Sequence, residues 1–258
     1  MISQSQEYKT LDFTVITCTG DRPEVFELCK RYIQRQTVLP AQWIIVDDGK
    51  VPVDRPDFAF TNYIRRIPKS TDPQHTLPVQ LLEALKRVKY TKIVMMEDDD
   101  WYAPMYCEES LRLLDIVNLV GRAYAVYYKI PALKYSVRDN QAWSCWNETC
   151  FTIDVAPQLV NLINENLNDF CVDLAAWRQL NVKKRIFIDA KKLCVGMKGL
   201  PGRFGLGMGH GATPKFKDDQ NHTFLKKLIG ADVILYQKWL GKENAPGNCV
   251  QDIVGLRK

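Results

Sequence analysis

Short apolar runs rich in β-branched residues alternate along this chain with amphipathic stretches of helical period. That alternation admits few architectures. The apolar runs suit strands buried on both faces, and the amphipathic stretches suit helices that cover such a sheet. "FTVITC" (13–18) predicts a first strand, and the turn "TGDRP" leads to Pro23, which suits the first turn of a helix. Val25, Phe26, Cys29 and Ile33 line one face of that helix. "WIIVDDGK" (43–50) predicts a second strand that runs into a turn at Asp47, Asp48 and Gly49, and "FAFTNYI" (58–64) a third. "PVQLLEALKRV" (78–88) reads as a helix, "KIVMMEDDD" (92–100) as a fourth strand ending in acid, and "PMYCEESLRLLDIVN" (104–118) as a further helix. This order predicts an α/β fold with a mostly parallel sheet. Ligands of such sheets collect outside the carboxyl ends of the strands. Three polar clusters fall there: Thr19 with Gly20, Asp21 and Arg22; Asp47 with Asp48; and Glu97, Asp98, Asp99 and Asp100.

The second half is more mixed. Strands are predicted at 123–130, 185–190 and 193–197, helices at 155–167 and 171–180, and a partly helical tail at 221–240. "KGLPGRFGLGMGHG" (198–211) holds six glycines and reads as a loop over a site. Without an internal repeat, a low-complexity segment or a marked linker, residues 1–258 read as one domain with two halves, 12–110 and 111–258.

Composition is that of an ordinary globular protein, 46% hydrophobic and 25% charged. No run of about 18 apolar residues predicts a membrane span. The polar start "MISQSQEYKT" lacks the pattern of a signal peptide, so a cytoplasmic location is expected. The eight cysteines, without a CxxC, are then expected to be reduced. Charge is uneven. Residues 176–258 carry 16 basic against 6 acidic side chains, a balance of +10, and residues 1–175 carry 19 against 24, a balance of −5. An acidic front and a basic back point to a phosphate-bearing or polyanionic partner near the back.

Four consecutive carboxylates behind a buried strand repel one another, and a cation, hydrogen-bond donors or solvent must offset that. A hard divalent cation, Mg²⁺ or Mn²⁺, is one such offset. It takes one or two carboxylates and shares the rest of its shell with substrate phosphates and water. Here the sequence resembles the nucleotide-sugar glycosyltransferases of the A-type fold, family 2 in particular. The likeness rests on "VDDG" (46–49) and on "EDDDWYAP" (97–104), an acidic triplet followed by aromatics and Pro104. It covers roughly residues 12–110 and is fainter beyond. It implies a single Rossmann-like domain with a mostly parallel central sheet, a nucleotide-sugar-binding half (12–110) and a mixed acceptor-binding half (111–258). It further implies that Asp48 contacts the nucleobase, Asp98 lies near the ribose, Asp99 binds the metal with Asp100 able to share it, and Thr19 and Arg22 line the nucleotide pocket.

Two later features fit the same resemblance. In "DFCVDLAAWR" (169–178), Asp173 occupies the place of a general base that takes the acceptor hydroxyl's proton, with Asp169 in reserve. In the glycine-rich loop, His210 between two glycines is the candidate to complete the metal shell, and Lys198 and Arg203 are candidates to hold the diphosphate. The resemblance implies direct displacement with inversion from a nucleoside-diphosphate sugar, UDP-sugar favoured. The basic, aromatic rear half, with Lys183, Lys184, Arg185, Lys191, Lys192, Lys215, Lys217, Lys226 and Lys227 beside Trp177, Phe204, Phe216 and Trp239, suits a phosphate backbone, and the resemblance then implies hydroxymethylated pyrimidine in DNA as the leading acceptor. Some phage enzymes of this general type act there, and a polysaccharide or other glycan is the alternative. Two other classes stay open: a non-catalytic nucleic-acid-binding module, and a metal-dependent nucleotidyltransferase or hydrolase.

Overall fold

The computed structural model describes residues 9–140, 142–168, 172–182, 184–188, 192–203 and 216–242. The first half runs β1 (Lys9–Thr19), α1 (Pro23–Gln34), β2 (Val38–Asp47), β3 (Thr61–Arg65), α2 (Leu77–Leu85), β4 (Lys92–Met95), β5 (Trp101–Tyr102) and α3 (Tyr106–Leu114). The second half runs β6 (Leu119–Arg122), β7 (Tyr124–Lys129), β8 (Lys134–Asp139), β9 (Cys150–Thr152), α4 (Ala156–Glu165), α5 (Val172–Gln179), β10 (Arg185–Ile188), β11 (Cys194–Lys198), β12 (Lys217–Asp218) and α6 (Thr223–Ile229). Short 3₁₀ turns cover Trp146–Glu148, Ile153–Val155 and Gly230–Tyr236.

The main sheet has the order β10-β6-β9-β4-β1-β2-β3. The β1–β2, β1–β4, β2–β3 and β6–β10 pairs are parallel, and β9 runs antiparallel to both β4 and β6. Strand alternation sorts the core into two layers. Phe13, Val15, Trp43, Ile45, Val94 and Met96 face α1, α3 and the segment around α6. Ile16, Cys18, Ile44, Val46, Ile93 and Met95 face α2, α4 and α5. Helices therefore cover both faces, which is why β1 and β2 are buried on consecutive residues through their C-terminal halves and not on alternate ones.

A second sheet, β12-β8-β7-β11-β5, stands against the end of the first. Its β11 pairs antiparallel with β5, directly after the acidic run, and so delivers Lys198 beside that run. The segment beyond β12 is tied back to the first half. Asp219 accepts the Phe224 and Leu225 amides at the start of α6, the Tyr32 and Tyr236 hydroxyls meet at 2.7 Å, and Asp232 binds Arg35 and the Trp101 indole.

The third strand begins later than predicted. Phe58 and Phe60 stack beneath Trp43, and the Thr61 amide closes a turn on the Phe58 carbonyl, so pairing starts only at Thr61. Among the described residues, no helix is long and apolar enough to cross a membrane.

Candidate active site

Register brings the ends of β1 and β2 side by side, with Thr19 opposite Asp47. Beyond that pair the Asp48 amide still donates to the Thr19 carbonyl at 3.2 Å, and the Gln80 amide on α2 donates to the same carbonyl at 2.7 Å and to the Val46 carbonyl at 3.1 Å. The two aspartates after β2 divide the work. Asp47 is internal, accepting the Gly49 and Val53 amides, each at 2.9 Å, and the Tyr63 hydroxyl at 2.7 Å. Asp48 points into the crevice, where Arg203 donates to it at 2.6 Å and Arg66 approaches at 3.4 Å. Gly49 packs so tightly against the Asp21 backbone that a Cβ there would collide with it.

The acidic run turns directly after β4. Asp98 accepts the Thr19 hydroxyl at 2.6 Å and Arg22 Nη1 at 2.9 Å, and the same Nη1 reaches Asp99 at 2.8 Å. Asp100 accepts Asn147 Nδ2 at 2.6 Å, the Met197 amide at 2.8 Å and Lys198 Nζ at 3.1 Å. Oxygens of Glu97, Asp99 and Asp100 lie within 4.8 Å of one another. Burial, then repulsion from Asp100 and Asp99, drives the Glu97 carboxyl well above its ordinary range. Burial also raises Asp98 despite Arg22, and lifts Asp100 to about 6 despite Lys198. Burial by itself would lower Lys198, but Asp100, Asp99 and Glu97 outweigh it and keep the ammonium charged. Arg22 and Lys198 thus set two positive charges against four carboxyls, and three of those carboxyls still resist ionisation.

Behind this cluster lies the turn Trp146–Glu148. Glu148 and Arg122 are both buried, and the Glu148 Oε2, Arg122 Nε and Arg122 Nη1 atoms find no hydrogen-bond partner. Burial pushes the Glu148 carboxyl up to about 8, with Arg122 opposing.

On the other side, Asp173 sits in the first turn of α5 and accepts the Leu174 amide at 2.8 Å. Its charge adds to burial in raising the Cys145 thiol and the Tyr127 hydroxyl, which contact each other at 2.7 Å. Lys198 Nζ in turn lies 5.8 Å from the centre of the Tyr127 ring. Asp173 is therefore close enough to act electrostatically on Tyr127 and Cys145, on the side of the site that Lys198 also faces.

Of the residues expected from the sequence, Thr19, Arg22, Asp48, Asp98, Asp99, Asp100, Lys198 and Arg203 meet around the ends of β1, β2 and β4. Asp173, on α5, adds its charge to the field at Tyr127. His210 and Asp169 lie outside the described residues. The expected stacking aromatics differ from expectation. Trp177 is buried against Phe187 and donates to Thr149, and Trp239 is buried beside Tyr236, because both complete the core. Phe216 packs on Lys129, and Phe204 lies outside the described residues. Sequence reading missed Asn147, Arg66 and Gln80. Each reaches the site through a contact far along the chain, and the one local hint was Gln80, a lone polar residue that faces inward from an apolar helix.

No family model matches the chain, and no curated protein matches it. Among solved structures, TarS 1-349 of S. aureus is similar with a TM-score of 0.53 at 11% identity, over 72% of this chain and 60% of that one. The same TarS fragment in complex with UDP-GlcNAc gives a TM-score of 0.49 at 13% identity, over 79% and 62%. The mannosyltransferase PcManGT from Pyrobaculum calidifontis, in complex with GDP-Man and Mn²⁺, gives 0.49 at 15% identity, over 76% and 58%. This chain thus spans about three fifths of the length of the TarS fragment. The likeness to TarS shows the fold, and that fold is the α/β, A-type glycosyltransferase architecture expected from the sequence.

Proposed function

We propose that the protein is a metal-dependent glycosyltransferase that moves a sugar from a nucleoside-diphosphate donor, UDP-sugar favoured, to an acceptor hydroxyl. The observation that carries this reading is the convergence of Glu97, Asp99 and Asp100 beside the Asp48 crevice, at the strand ends where α/β sheets bind ligands. The donor set fits a hard divalent cation. It is all oxygen, it is compact, and it is short of positive charge. Glu97, Asp99 and Asp100 would hold that ion, which when bound would neutralise the charge of a departing diphosphate.

The chain's own residues do the rest. Asp48 accepts an N–H from the nucleobase, and Asp98, fixed by Thr19 and Arg22, faces the ribose. Lys198 and Asn147 hold Asp100 in one orientation. Asp173 takes the proton of the acceptor hydroxyl as its oxygen bonds to the anomeric carbon. The bond from that carbon to the diphosphate breaks in the same step, and the configuration inverts. The exposed lysines 184, 192, 217, 226 and 227 support an anionic acceptor. Loss of Trp177 and Trp239 to the core leaves DNA with less support than the sequence suggested.

The test is thermal stability with UDP-, GDP-, CDP- and dTDP-sugars, each with and without Mn²⁺. A ligand that binds the folded state raises the melting temperature by mass action. A Mn²⁺-dependent rise for one donor, lost in Asp99→Asn, is expected. A rise with DNA and none with any nucleotide would point instead to a binding module.

A further inference from the structure

Arg203, expected from the sequence to hold a diphosphate, is instead bound to Asp48 and Asp21 where the donor reading seats a nucleotide. Its Nη1 donates to Asp48 Oδ1 at 2.6 Å and to the Thr76 hydroxyl at 2.9 Å, and its Nη2 donates to the Asp48 carbonyl at 3.1 Å and to Asp21 Oδ2 at 3.3 Å. The guanidinium lies against Gly20, where a Cβ would come within 2.6 Å of Arg203 Cζ and 2.8 Å of Asp48 Oδ1. The Asp48 carboxylate is wholly covered, with Arg203 at 2.6 Å and Arg66 at 3.4 Å, so no ligand reaches it while they stay in place.

The backbone around Arg203 is also seated. Arg22 Nε and Nη2 donate to the Arg203 carbonyl at 2.9 and 2.6 Å, and Arg22 Nη1 holds Asp98 and Asp99. Gly202 adopts φ +109, and a Cβ on it would collide with Arg22 Cγ and with the Asp21 carbonyl. Gly199 adopts φ +81, with Pro131 where its Cβ would stand. These two glycines let the segment after β11 lie directly on the turn after β1. One arginine side chain and one carbonyl thus tie the nucleotide crevice to the acidic cluster.

We infer that residues 199–203 form a self-occluding strap, in which Arg203 holds the nucleotide seat closed and an incoming nucleoside diphosphate must displace it. This inference rests on the donor reading above. A closed seat lowers apparent affinity by the fraction of molecules that are open. With about one molecule in ten open, unseating the strap tightens binding about tenfold.

Two variants test this in the 258-residue chain by titration with UDP and with GDP in the presence of Mn²⁺. Arg203→Ala removes the plug. Gly202→Ala keeps the arginine but prevents the strap from seating. Both are expected to bind the preferred nucleotide about tenfold more tightly than the parent. Wild-type or weaker affinity in either folded variant overturns the strap and leaves the donor reading standing. Should Gly202→Ala lose its cooperative melting transition, Arg203→Ala alone decides. If neither the parent nor the variants bind UDP or GDP, the donor reading fails and the strap fails with it.

Discussion

Lys198 Nζ lies 3.1 Å from Asp100 Oδ1, and both side chains are almost fully withdrawn from water. Removing one partner of such a pair strands the other charge in the interior. Lys198→Met in metal-free buffer should cost about 3–5 kcal/mol of stability, read from the denaturant midpoint. The double variant Lys198→Met with Asp100→Asn should recover more than half of that loss. A double variant no more stable than the single would show that the cost has another source.

Asp99→Asn keeps the shape of the acidic turn and removes one ligand charge. Calorimetric titration should find Mn²⁺ bound by the parent protein and at least about tenfold more weakly by the variant. Equal affinity would exclude Asp99 from the metal shell.

Asp173→Asn keeps the first turn of α5 but cannot take a proton. We expect kcat, followed as released nucleoside diphosphate, to fall by about 10²–10⁴ with little change in KM for the donor. A rise in donor KM at unchanged kcat would assign Asp173 to binding.

Glu148 gives a pH signature. Burial holds its carboxyl at about 8 in the folded chain, against an ordinary value of 4.5. Between those values the folded state keeps a proton that the unfolded state has released, so stability falls as pH rises and levels off above about 8. Glu148→Gln should remove this slope and, at pH 8, gain on the parent by on the order of 2 kcal/mol. Denaturation midpoints measured from pH 5 to 8.5 check it, and an unchanged slope would move the proton elsewhere.

Gly121 on β6 faces Trp177 and Ser144, and a Cβ there would come within 2.5 Å of Trp177 Cζ2 and 2.6 Å of Ser144 Cβ. Gly121→Ala should cost about 1–3 kcal/mol by overpacking. A melting curve that matches the parent would mean that α5 can shift freely against the sheet.

The first half was legible because its strands are covered on both faces and each ends in a polar turn, a pattern that local sequence carries in full. β6, β8 and β9 were not. β9 has only three residues, "CFT", and β8, "KYSVRD", alternates with polar residues in the smaller sheet. β6, "LVGR", ends in Arg122, a residue type rarely buried without a full set of partners. At the site, Asp48 and the acidic run could be found because strand ends are where an α/β sheet exposes chemistry. Asn147 could not. It stands 47 residues from Asp100, in a short turn whose position is set by Tyr106 donating to its carbonyl.

Gln80 gives the crevice a fixed gauge. Near the ends of β1 and β2 one helix-borne amide binds a carbonyl of each strand, alongside the Asp48 amide that also meets the Thr19 carbonyl. To widen the gap, the protein would have to strip a buried amide of its acceptors, at a cost comparable to the affinity of a weak ligand. The spacing of the two strand ends is therefore held by α2 as well as by the pairing of β1 with β2.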